Sequence, residues 1–337
     1  MRPMDNTATN ATLSQIADRI LGAQRIAICG HVSPDGDCIG SQLALACGLR
    51  QAGKEAICLL AADEPIEYGL RFLPGAADFV PAEHFKGSID LFVTVDVPSA
   101  ARLGSFAADL HAKAPATVTI DHHISESPLS QMNFVDADAP SCSLLIWHLL
   151  EAMDINRDAA MATCCFTGLM TDTGRFSFQN ATADAFDVAA SMVRAGANPG
   201  YIAMQVFQNR SRASLRLEQI ALAHAQYFHD GAFVVSVLSE ADFKEAGAVR
   251  ADAEPLIDVL RSVRGVRVAC MLREKGSTVR GSLRAKDETD VGVIARSLGG
   301  GGHRAAAGFT FNGSLGAARA RIETEFSRLA SRETEGE

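Results

Sequence analysis

The sequence predicts an α/β protein with two domains, the first of which is built on a parallel sheet. Short apolar stretches alternate with a helical stretch through residues 25–60, and this β-α-β order is typical of parallel sheets. The 337 residues are enough for two hydrophobic cores, and a second series of strands and helices starts near residue 230. We therefore expect a first α/β domain over residues 11–200, a helical linker over 201–229 and a smaller α/β domain over 230–331.

Hydrophobic periodicity indicates the elements of the first domain. The predicted strands cover residues 25–30, 55–60, 90–96 and 117–120, and the predicted helices cover 11–21, 38–52, 105–113, 141–153, a stretch from 157 onwards, and 183–195. Asn156 is placed to cap the helix that starts at Arg157. Pro34 and Gly36 indicate a tight loop between the first strand and the helix that follows it.

The second domain has a strand pattern of its own. After a helical stretch at 201–227, strands are predicted at 232–238, 266–272, 278–284 and 307–311, with helices at 291–298 and 315–329. Asp290 is placed to cap the helix at 291–298, and this helix runs into four consecutive glycines and then His303.

Composition and charge limit the class of protein. No apolar run reaches the ~18 residues that span a bilayer and residues 1–15 lack a signal-peptide pattern, so we expect a cytoplasmic protein. The eight cysteines show no paired C-x-x-C spacing, which favours reduced thiols over disulfides or zinc. The net charge of −9 opposes nonspecific attraction to nucleic acid, yet residues 250–304 hold eleven basic and seven acidic side chains. That segment is either a surface for an anionic substrate or a solvated charged face.

Side chains suited to metal binding follow three of the predicted strands. These residues are His31, Asp35 and Asp37 after the first strand, Asp96 at the end of strand 90–96, and Asp121, His122 and His123 after strand 117–120. In an open α/β sheet the ligand crevice lies at the carboxyl ends of the strands. Asp172, on a mostly apolar predicted helix, is a further candidate because a lone buried carboxylate is costly.

The resulting set of oxygen and nitrogen ligands, without a thiolate, suits Mn²⁺ or Mg²⁺ better than structural zinc. Its members are His31, Asp35, Asp37, Asp96, His122 and Asp172. Two like charges about 4 Å apart cost about 4 kcal/mol at an effective dielectric of 20, and two divalent cations would balance the four carboxylates. A pair of cations about 3.5–4 Å apart can hold a phosphoryl oxygen and stabilise an in-line displacement at phosphorus.

Donors for a phosphoryl group are also available in the sequence. His123 lies next to a candidate ligand, and Arg284 and His303 could contribute from the second domain. The glycine run before His303 allows close backbone approach to an anion, although a helix C-cap and hinge would explain the run equally well. The glycines expected to face an anion are Gly300, Gly301 and Gly302.

These motifs resemble those of the DHH phosphoesterase superfamily. Its four motifs are matched in order by His31-x-x-x-Asp35-x-Asp37, the strand-end Asp96, Asp121-His122-His123 and Asp172. Arg284 together with residues 299–303 resembles the glycine-rich signature of the DHH-associated C-terminal domain. The resemblance covers residues 20–330 and is greatest to the bifunctional oligoribonuclease and 3′-phosphoadenosine 5′-phosphate (PAP) phosphatase proteins, the nanoRNases.

The resemblance implies an active site in the cleft between the two domains and two Mn²⁺, with Mg²⁺ or another divalent cation as alternatives. One cation would be held by His31, Asp35, Asp96 and Asp172, and the other by Asp37, Asp96, His122 and Asp172. Asp121 would orient an imidazole. The implied catalytic residues are His123, Asp121, Arg284 and His303. The implied substrate contacts are Arg102, His123, Arg284, Gly300, Gly301, Gly302 and His303.

The implied reaction is hydrolysis of short oligonucleotides or of PAP. Alternatives of the same class are a cyclic-dinucleotide or linear-dinucleotide phosphodiesterase and an exopolyphosphatase, and a nucleotide-binding regulator is the alternative from another class. A long single-strand exonuclease is disfavoured because no room remains for an oligonucleotide-binding fold and only 6% of residues are aromatic. The complete ligand set favours an enzyme over a regulator. The sequence indicates no role for Arg175. The sequence is also compatible with a homodimer.

Overall fold

The computed structural model describes residues 8–124, 127–302 and 304–334. The chain separates into two compact units, which meet in sequence between Asn209 and Arg210. Each unit has its own six-stranded sheet.

The first unit contains a six-stranded sheet in which every paired strand is parallel. Its strands are β1 (Arg25–Cys29), β2 (Glu55–Leu60), β3 (Val80–Pro81), β4 (Leu91–Val95), β5 (Thr117–Asp121) and β6 (Met132–Val135). Their order across the sheet is β3-β2-β1-β4-β5-β6. Its helices are α1 (Leu13–Leu21), α2 (Gly36–Gln51), α3 (Gly104–Lys113), α4 (Cys142–Ala152), α5 (Ala159–Asp172), α6 (Ala183–Arg194) and α7 (Pro199–Phe207).

Burial explains why these stretches form strands and helices without a simple amphipathic pattern. Strands β4 and β5 are buried at every position, as parallel strands covered by helices on both faces should be. Helices α2 and α5 are also buried over most of their length and pack against each other. Gly40 makes this close approach feasible, because a Cβ there would collide with the backbone carbonyl of Cys164.

The start of α5 differs from the prediction. Asp158, and not Asn156, is the N-cap, and its side chain accepts hydrogen bonds from the backbone N–H groups of Ala160 and Met161 at 2.9 and 3.1 Å. Both residues are good caps, so the sequence alone could not choose between them. Helix α2 is capped in the same way by Asp35, which accepts from Asp37 and Cys38.

The second unit contains a mixed six-stranded sheet. Its strands are β7 (Gln226–Phe228), β8 (Phe233–Leu238), β9 (Val268–Lys275), β10 (Thr278–Ala285), β11 (Gly301–Gly302) and β12 (Ala306–Asn312), in the order β11-β12-β10-β9-β8-β7. Among the described strands of this second sheet, only the β8–β9 pair is parallel. Its helices are α8 (Arg212–Ala223), α9 (Glu240–Ala246), α10 (Leu256–Ser262), α11 (Val291–Ser297) and α12 (Leu315–Thr334).

The helical stretch predicted at 201–227 is interrupted in the structure, and its last residues are not helical. The segment forms α7 and α8 with a break after Phe207, and it ends in the strand β7. Ser211 causes the restart, because its side chain accepts a hydrogen bond from the N–H of Ser214 at 2.9 Å and caps α8. Strands β3 and β6 and helices α9 and α10 were not predicted, since each is short and carries little periodicity.

The cysteines and the apolar content of the helices bear on the expectations from composition. All eight cysteines carry free thiols, and all but Cys47 are buried. Across the described residues, no helix combines the length and the apolar character that a bilayer crossing requires.

Candidate active site

The strand order brings three of the predicted motifs to one edge of the first sheet. Strands β1, β4 and β5 are neighbours and parallel, so the residues that follow them emerge at the same carboxyl edge. The chain leaves β1 for β2 on one side, whereas β4 lies on the other side, and ligands bind at such a switch point in open α/β sheets. Asp96 and His122 are the first residues after β4 and β5, and His31 is the second residue after β1.

Asp96 lies at the centre of the site. Its Oδ2 is 3.4 Å from Nε2 of His31, and its Oδ1 is 3.4 Å from Nε2 of His122. The residue is 2% exposed and has a left-handed backbone with φ of +60°, a conformation that aspartate adopts more readily than most residues. The two carboxylate oxygens of Asp96 therefore face two different imidazoles.

His31 forms one side of the site. Its Nε2 is 3.8 Å from Oδ2 of Asp35, and its Nδ1 is 2.9 Å from the carbonyl oxygen of Val32. A hydrogen bond from Nδ1–H to that carbonyl directs Nε2 towards the carboxylates. An Nη2 atom of Arg102 lies 3.1 Å from the same Nδ1, so the structure brings this predicted substrate contact to the site.

His122 forms the other side together with Asp37 and Asp172. Its Nε2 is 3.7 Å from Oδ2 of Asp37 and 3.3 Å from Oδ2 of Asp172. Its Nδ1 is 3.3 Å from the carbonyl oxygen of Ala139. This contact orients the His122 ring in the way that the Val32 carbonyl orients the His31 ring. Asp172 is the last residue of α5, so the structure joins the end of this helix to the edge of the sheet.

The N-terminus of α4 holds the buried carboxylate of Asp37, and sequence reasoning missed this contact. The backbone N–H of Cys142 donates to Oδ2 at 2.6 Å and that of Ser143 donates to Oδ1 at 2.8 Å. These N–H groups have no partner within their own helix, and the helix dipole favours a negative charge there. The N-cap Ser141 marks the helix start in the sequence, but nothing in the sequence indicates which carboxylate lies there.

Asp121 organises the loop that carries both adjacent histidines. Its Oδ1 accepts hydrogen bonds from the backbone N–H groups of His122 and His123 at 2.8 and 3.2 Å, and it lies 2.8 Å from Nδ1 of His123. The imidazole that Asp121 contacts is thus that of His123. Nδ1 of His123 is also 3.4 Å from Oδ1 of Asp96.

Two of the carboxylates resist ionisation in this protein without a bound cation. Burial, together with the charge of Asp96, raises the pKa of Asp37 to about 6. Burial and the charge of Asp37 likewise raise the pKa of Asp172 well above its usual range. A cation bound between these groups would favour the ionised form of both carboxylates and so oppose both shifts.

The two imidazoles that face Asp96 are held in the charged form. Burial alone would lower the pKa of His31, but the interaction with Asp96 and the charge of Asp35 raise it to about 9. Burial alone would also lower the pKa of His122, but the interaction with Asp96 raises it well above its usual range. Burial would raise the pKa of Asp96, yet these imidazoles hold it well below its usual range. Protons thus supply the positive charge that the carboxylates require.

Several observations fit a divalent cation at this site. Asp96 Oδ1 and Asp121 Oδ2 are buried and accept no hydrogen bond from any described residue. Ligand atoms of Asp37, His122 and Asp172 lie within 4.8 Å of one another, as a cation would need. Carboxylate and imidazole donors suit Mn²⁺ and similar divalent ions.

A thiol also lies at the site, which the prediction of a ligand set without sulfur had not anticipated. The Sγ of Cys38 is within 4.8 Å of ligand atoms of His31 and Asp96. Burial and the charge of Asp96 raise the pKa of Cys38 well above its usual range. Because a thiolate and not a thiol binds metals, the set that can bind a cation still consists of oxygen and nitrogen atoms.

The remaining predicted contacts belong to the second unit. Arg284 lies on β10 opposite Ala306 of β12, and β12 also pairs with Gly301 and Gly302 of β11. Burial lowers the pKa of Arg284, and the nearby carboxylates of Asp258 and Glu254 oppose this effect. The structure therefore places Arg284 and the glycine run in one sheet.

The glycine run forms both a cap and a strand. Gly299, with φ of +75°, ends α11, and the N–H of Gly300 donates to the carbonyl of Ala295 at 2.8 Å. A Cβ at Gly302 would lie 2.6 Å from the backbone carbonyl of Ala306, so this position requires glycine. His303 lies outside the residues that the structure describes.

Comparison with known proteins identifies the family. Residues 25–169 match the DHH family N-terminal domain, and residues 230–328 match the DHHA1 domain. The chain belongs to the DHH family and is a phosphoric ester hydrolase. Over 289 residues it is 32% identical to the bifunctional oligoribonuclease and PAP phosphatase NrnA of Thermus thermophilus, covering 86% of this chain and 84% of that protein.

Solved structures share the fold. An exopolyphosphatase-related protein from Bacteroides fragilis has a TM-score of 0.86 at 24% identity, covering 94% of this chain and 95% of the other. RecJ of Thermus thermophilus, solved with Mn²⁺, has a TM-score of 0.56 at 15% identity and covers 97% of this chain and 55% of RecJ. The two-domain α/β fold expected from the sequence is therefore confirmed.

Proposed function

We propose that this protein is an Mn²⁺-dependent phosphoesterase that hydrolyses short oligonucleotides, PAP or both, by attack of water on phosphorus. The observation that carries the proposal is the position of Asp96, whose two oxygens face His31 and His122 at 3.4 Å on opposite sides of one buried cluster. A carboxylate in that position can bridge two cations. The similarity to an oligoribonuclease and PAP phosphatase supports the choice of substrate.

For the two cations we propose the ligands that the family resemblance implies. His31, Asp35, Asp96 and Asp172 would hold one, and Asp37, Asp96, His122 and Asp172 would hold the other. Bound there, the pair would lower the pKa of a coordinated water and neutralise charge on the phosphoryl oxygens. The protein's own contribution is to hold the carboxylates in place, as the N–H groups of α4 do for Asp37.

The substrate contacts in this proposal come from residues with positive charge or N–H donors. His123, whose ring is oriented by Asp121 at 2.8 Å, and Arg102 beside His31 belong to the first unit. Arg284, Gly300, Gly301, Gly302 and His303 are the proposed contacts from the second unit. Arginine is well suited to this role because its planar guanidinium can bind phosphate through two parallel hydrogen bonds.

The test is a panel of substrates with Mn²⁺ present or removed by a chelator. We expect turnover of a dinucleotide and of PAP, weak turnover of a long single strand, and no turnover after chelation. His122→Ala should abolish hydrolysis and weaken Mn²⁺ binding measured by calorimetry, because it removes the imidazole that faces Asp96, Asp37 and Asp172. His148→Ala, which changes a partly exposed imidazole on α4, is the matched control.

Two outcomes would contradict the proposal. Hydrolysis of only polyphosphate or only a cyclic dinucleotide would assign a different phosphoesterase activity to the same site. Full turnover by His122→Ala in excess Mn²⁺ would remove this histidine from the proposed ligands.

A further inference from the structure

The turn that follows Asp172 has an unusual backbone. Gly174, Arg175 and Phe176 adopt φ values of +54°, +61° and +61° in succession. Glycine tolerates this left-handed conformation, whereas an arginine and an aromatic residue rarely adopt it and are strained in it. Such strain persists where the surroundings impose it, and it is concentrated at functional sites.

Contacts on both sides of Arg175 impose the conformation. The N–H of Arg175 donates to the carbonyl of Met170 at 2.8 Å, which closes the end of α5. The N–H of Phe176 donates to Oγ1 of Thr173 at 3.2 Å, and the Phe176 ring lies 5.3 Å from that of Phe186. The turn therefore presents the side chain of Arg175 from a fixed backbone.

The side chain of Arg175 is also held, by an aromatic ring. Its Cζ lies 4.1 Å from the ring centroid of Phe207, at the end of α7. Arg175 is exposed, and its guanidinium forms neither an ion pair nor a hydrogen bond with the described part of the chain. Stacking occupies one face of the guanidinium and leaves the N–H donors at its edge available to a ligand.

The position of Arg175 connects this guanidinium to the candidate active site. Arg175 is three residues after Asp172, and three residues of chain span at most about 10 Å. Oδ2 of Asp172 is itself 3.3 Å from Nε2 of His122. The backbone of this ordered arginine thus lies within about 10 Å of the backbone of a residue of the carboxylate and histidine cluster.

We propose that Arg175 is a substrate-binding residue that contacts a second phosphate, one nucleoside away from the phosphate that is hydrolysed. This inference rests on the proposed function, because it takes the substrate to be a nucleotide. Arg175 thereby selects substrates that carry two phosphates, such as a 5′-phosphorylated dinucleotide or a nucleoside 3′,5′-bisphosphate. Phe207 fixes the orientation of the guanidinium, which lowers the conformational entropy lost on binding.

The test compares two ligands that differ only in the second phosphate. Both are dinucleotides with a non-hydrolysable methylenephosphonate linkage, one with and one without a 5′-phosphate, and binding to the Mn²⁺-loaded protein is measured by calorimetry. We expect the wild type to prefer the 5′-phosphorylated ligand by about 10- to 100-fold, the effect of one charge-assisted hydrogen-bonded contact.

Variants of Arg175 separate binding from folding. Arg175→Ala should abolish the preference, and Arg175→Lys should keep only part of it because lysine lacks the planar fork. Arg175→Gly should also abolish the preference while relieving the positive φ, so its thermal unfolding midpoint shows whether any loss is structural. Arg194→Ala, at an exposed arginine near the end of α6, should leave the preference unchanged.

A preference retained by both Arg175→Ala and Arg175→Gly would overturn the inference, and so would a wild type without any preference. Failure of the proposed function would be seen in a different result, because the wild type would then cleave neither the native dinucleotide nor PAP. The calorimetric comparison decides the role of Arg175 in either case, because its ligands are not hydrolysed.

Discussion

Asp96 illustrates how a single residue can require a cation. It is almost fully buried, faces imidazoles with both oxygens and leaves Oδ1 without a hydrogen bond from the described residues. A buried carboxylate in such a place is stable only if positive charge compensates it. In the protein without metal, protons on His31 and His122 provide that charge. Divalent cations and protons should therefore compete for the site.

This competition predicts a pH dependence. The pKa of His31 is raised from 6.5 to about 9 in the folded protein, so its protonation stabilises the fold below pH 6.5, and this contribution is lost as pH rises through 9. The loss amounts to at most about 3 kcal/mol of unfolding free energy. Metal-free protein should become less stable between pH 6.5 and 9, whereas its Mn²⁺ affinity should rise over the same range. Thermal unfolding and calorimetry across this range measure both effects.

The control for this prediction is a second histidine. His31→Gln should reduce the pH dependence of metal-free stability, and His148→Gln, which changes a partly exposed ring, should preserve it. A metal-free wild type whose stability is constant from pH 6.5 to 9 would argue against protonated imidazoles in the folded state.

At the scale of elements, the contact between α2 and α5 positions the ligands. Asp37 is in the first turn of α2, Asp172 ends α5, and glycines allow the two helices to approach closely. Gly168 on α5 faces both Ser143 and Asp37, because a Cβ at this position would lie 1.9 Å from Oγ of Ser143 and 2.6 Å from Oδ1 of Asp37. Helix packing and cation binding are thus coupled through one small residue.

Gly168→Ala should weaken Mn²⁺ binding and lower stability together. The added methyl group should push Ser143 and Asp37 apart from their present contact, and overpacking of this kind costs about 1–3 kcal/mol. Calorimetric titration with Mn²⁺ and thermal unfolding provide the two measurements. Gly316→Ala is the control, because α12 has open space at that position and alanine favours a helix. Unchanged Mn²⁺ affinity in Gly168→Ala would show that Asp37 can be displaced without consequence.

At the scale of the whole molecule, the proposed roles divide between the two units. Every residue of the carboxylate and histidine cluster lies before Asn209, whereas Arg284 and the glycine run lie after Arg210. Each unit has separate hydrophobic clusters, so a substitution in the second unit need not disturb the first. Residues 250–304 are also the part of the chain with an excess of basic side chains.

Arg284→Ala should therefore raise KM for a dinucleotide by about 10- to 100-fold, the loss of a charged hydrogen bond, while Mn²⁺ affinity stays unchanged. Steady-state kinetics and Mn²⁺ titration separate these quantities. Arg264→Ala, at an exposed arginine of the same unit, controls for the loss of charge. If Arg284→Ala weakened Mn²⁺ and substrate binding equally, the division of roles would be incorrect.

The sequence by itself determined those elements and candidate ligands whose signals lie in residues adjacent along the chain. Strands β1, β4 and β5 were predicted nearly to their observed bounds because apolar, β-branched runs and the polar residues after them are adjacent in the chain. The motifs that begin with His31, Asp96 and Asp121 were recognised for the same reason. Strands β3 and β6 and the break after Phe207 were missed, because short elements and caps of similar strength leave weak local signals.

Only the tertiary structure decided which distant groups meet. The N–H groups of Cys142 and Ser143 reach Asp37 from more than one hundred residues away, and Arg175 stacks on Phe207 across the first unit. Neither contact leaves a pattern in the chain, because hydrogen bonds and stacking depend on distance in space and not on spacing in sequence. The sequence thus determined which side chains could bind cations, and the parallel order of β1, β4 and β5 determined that they converge.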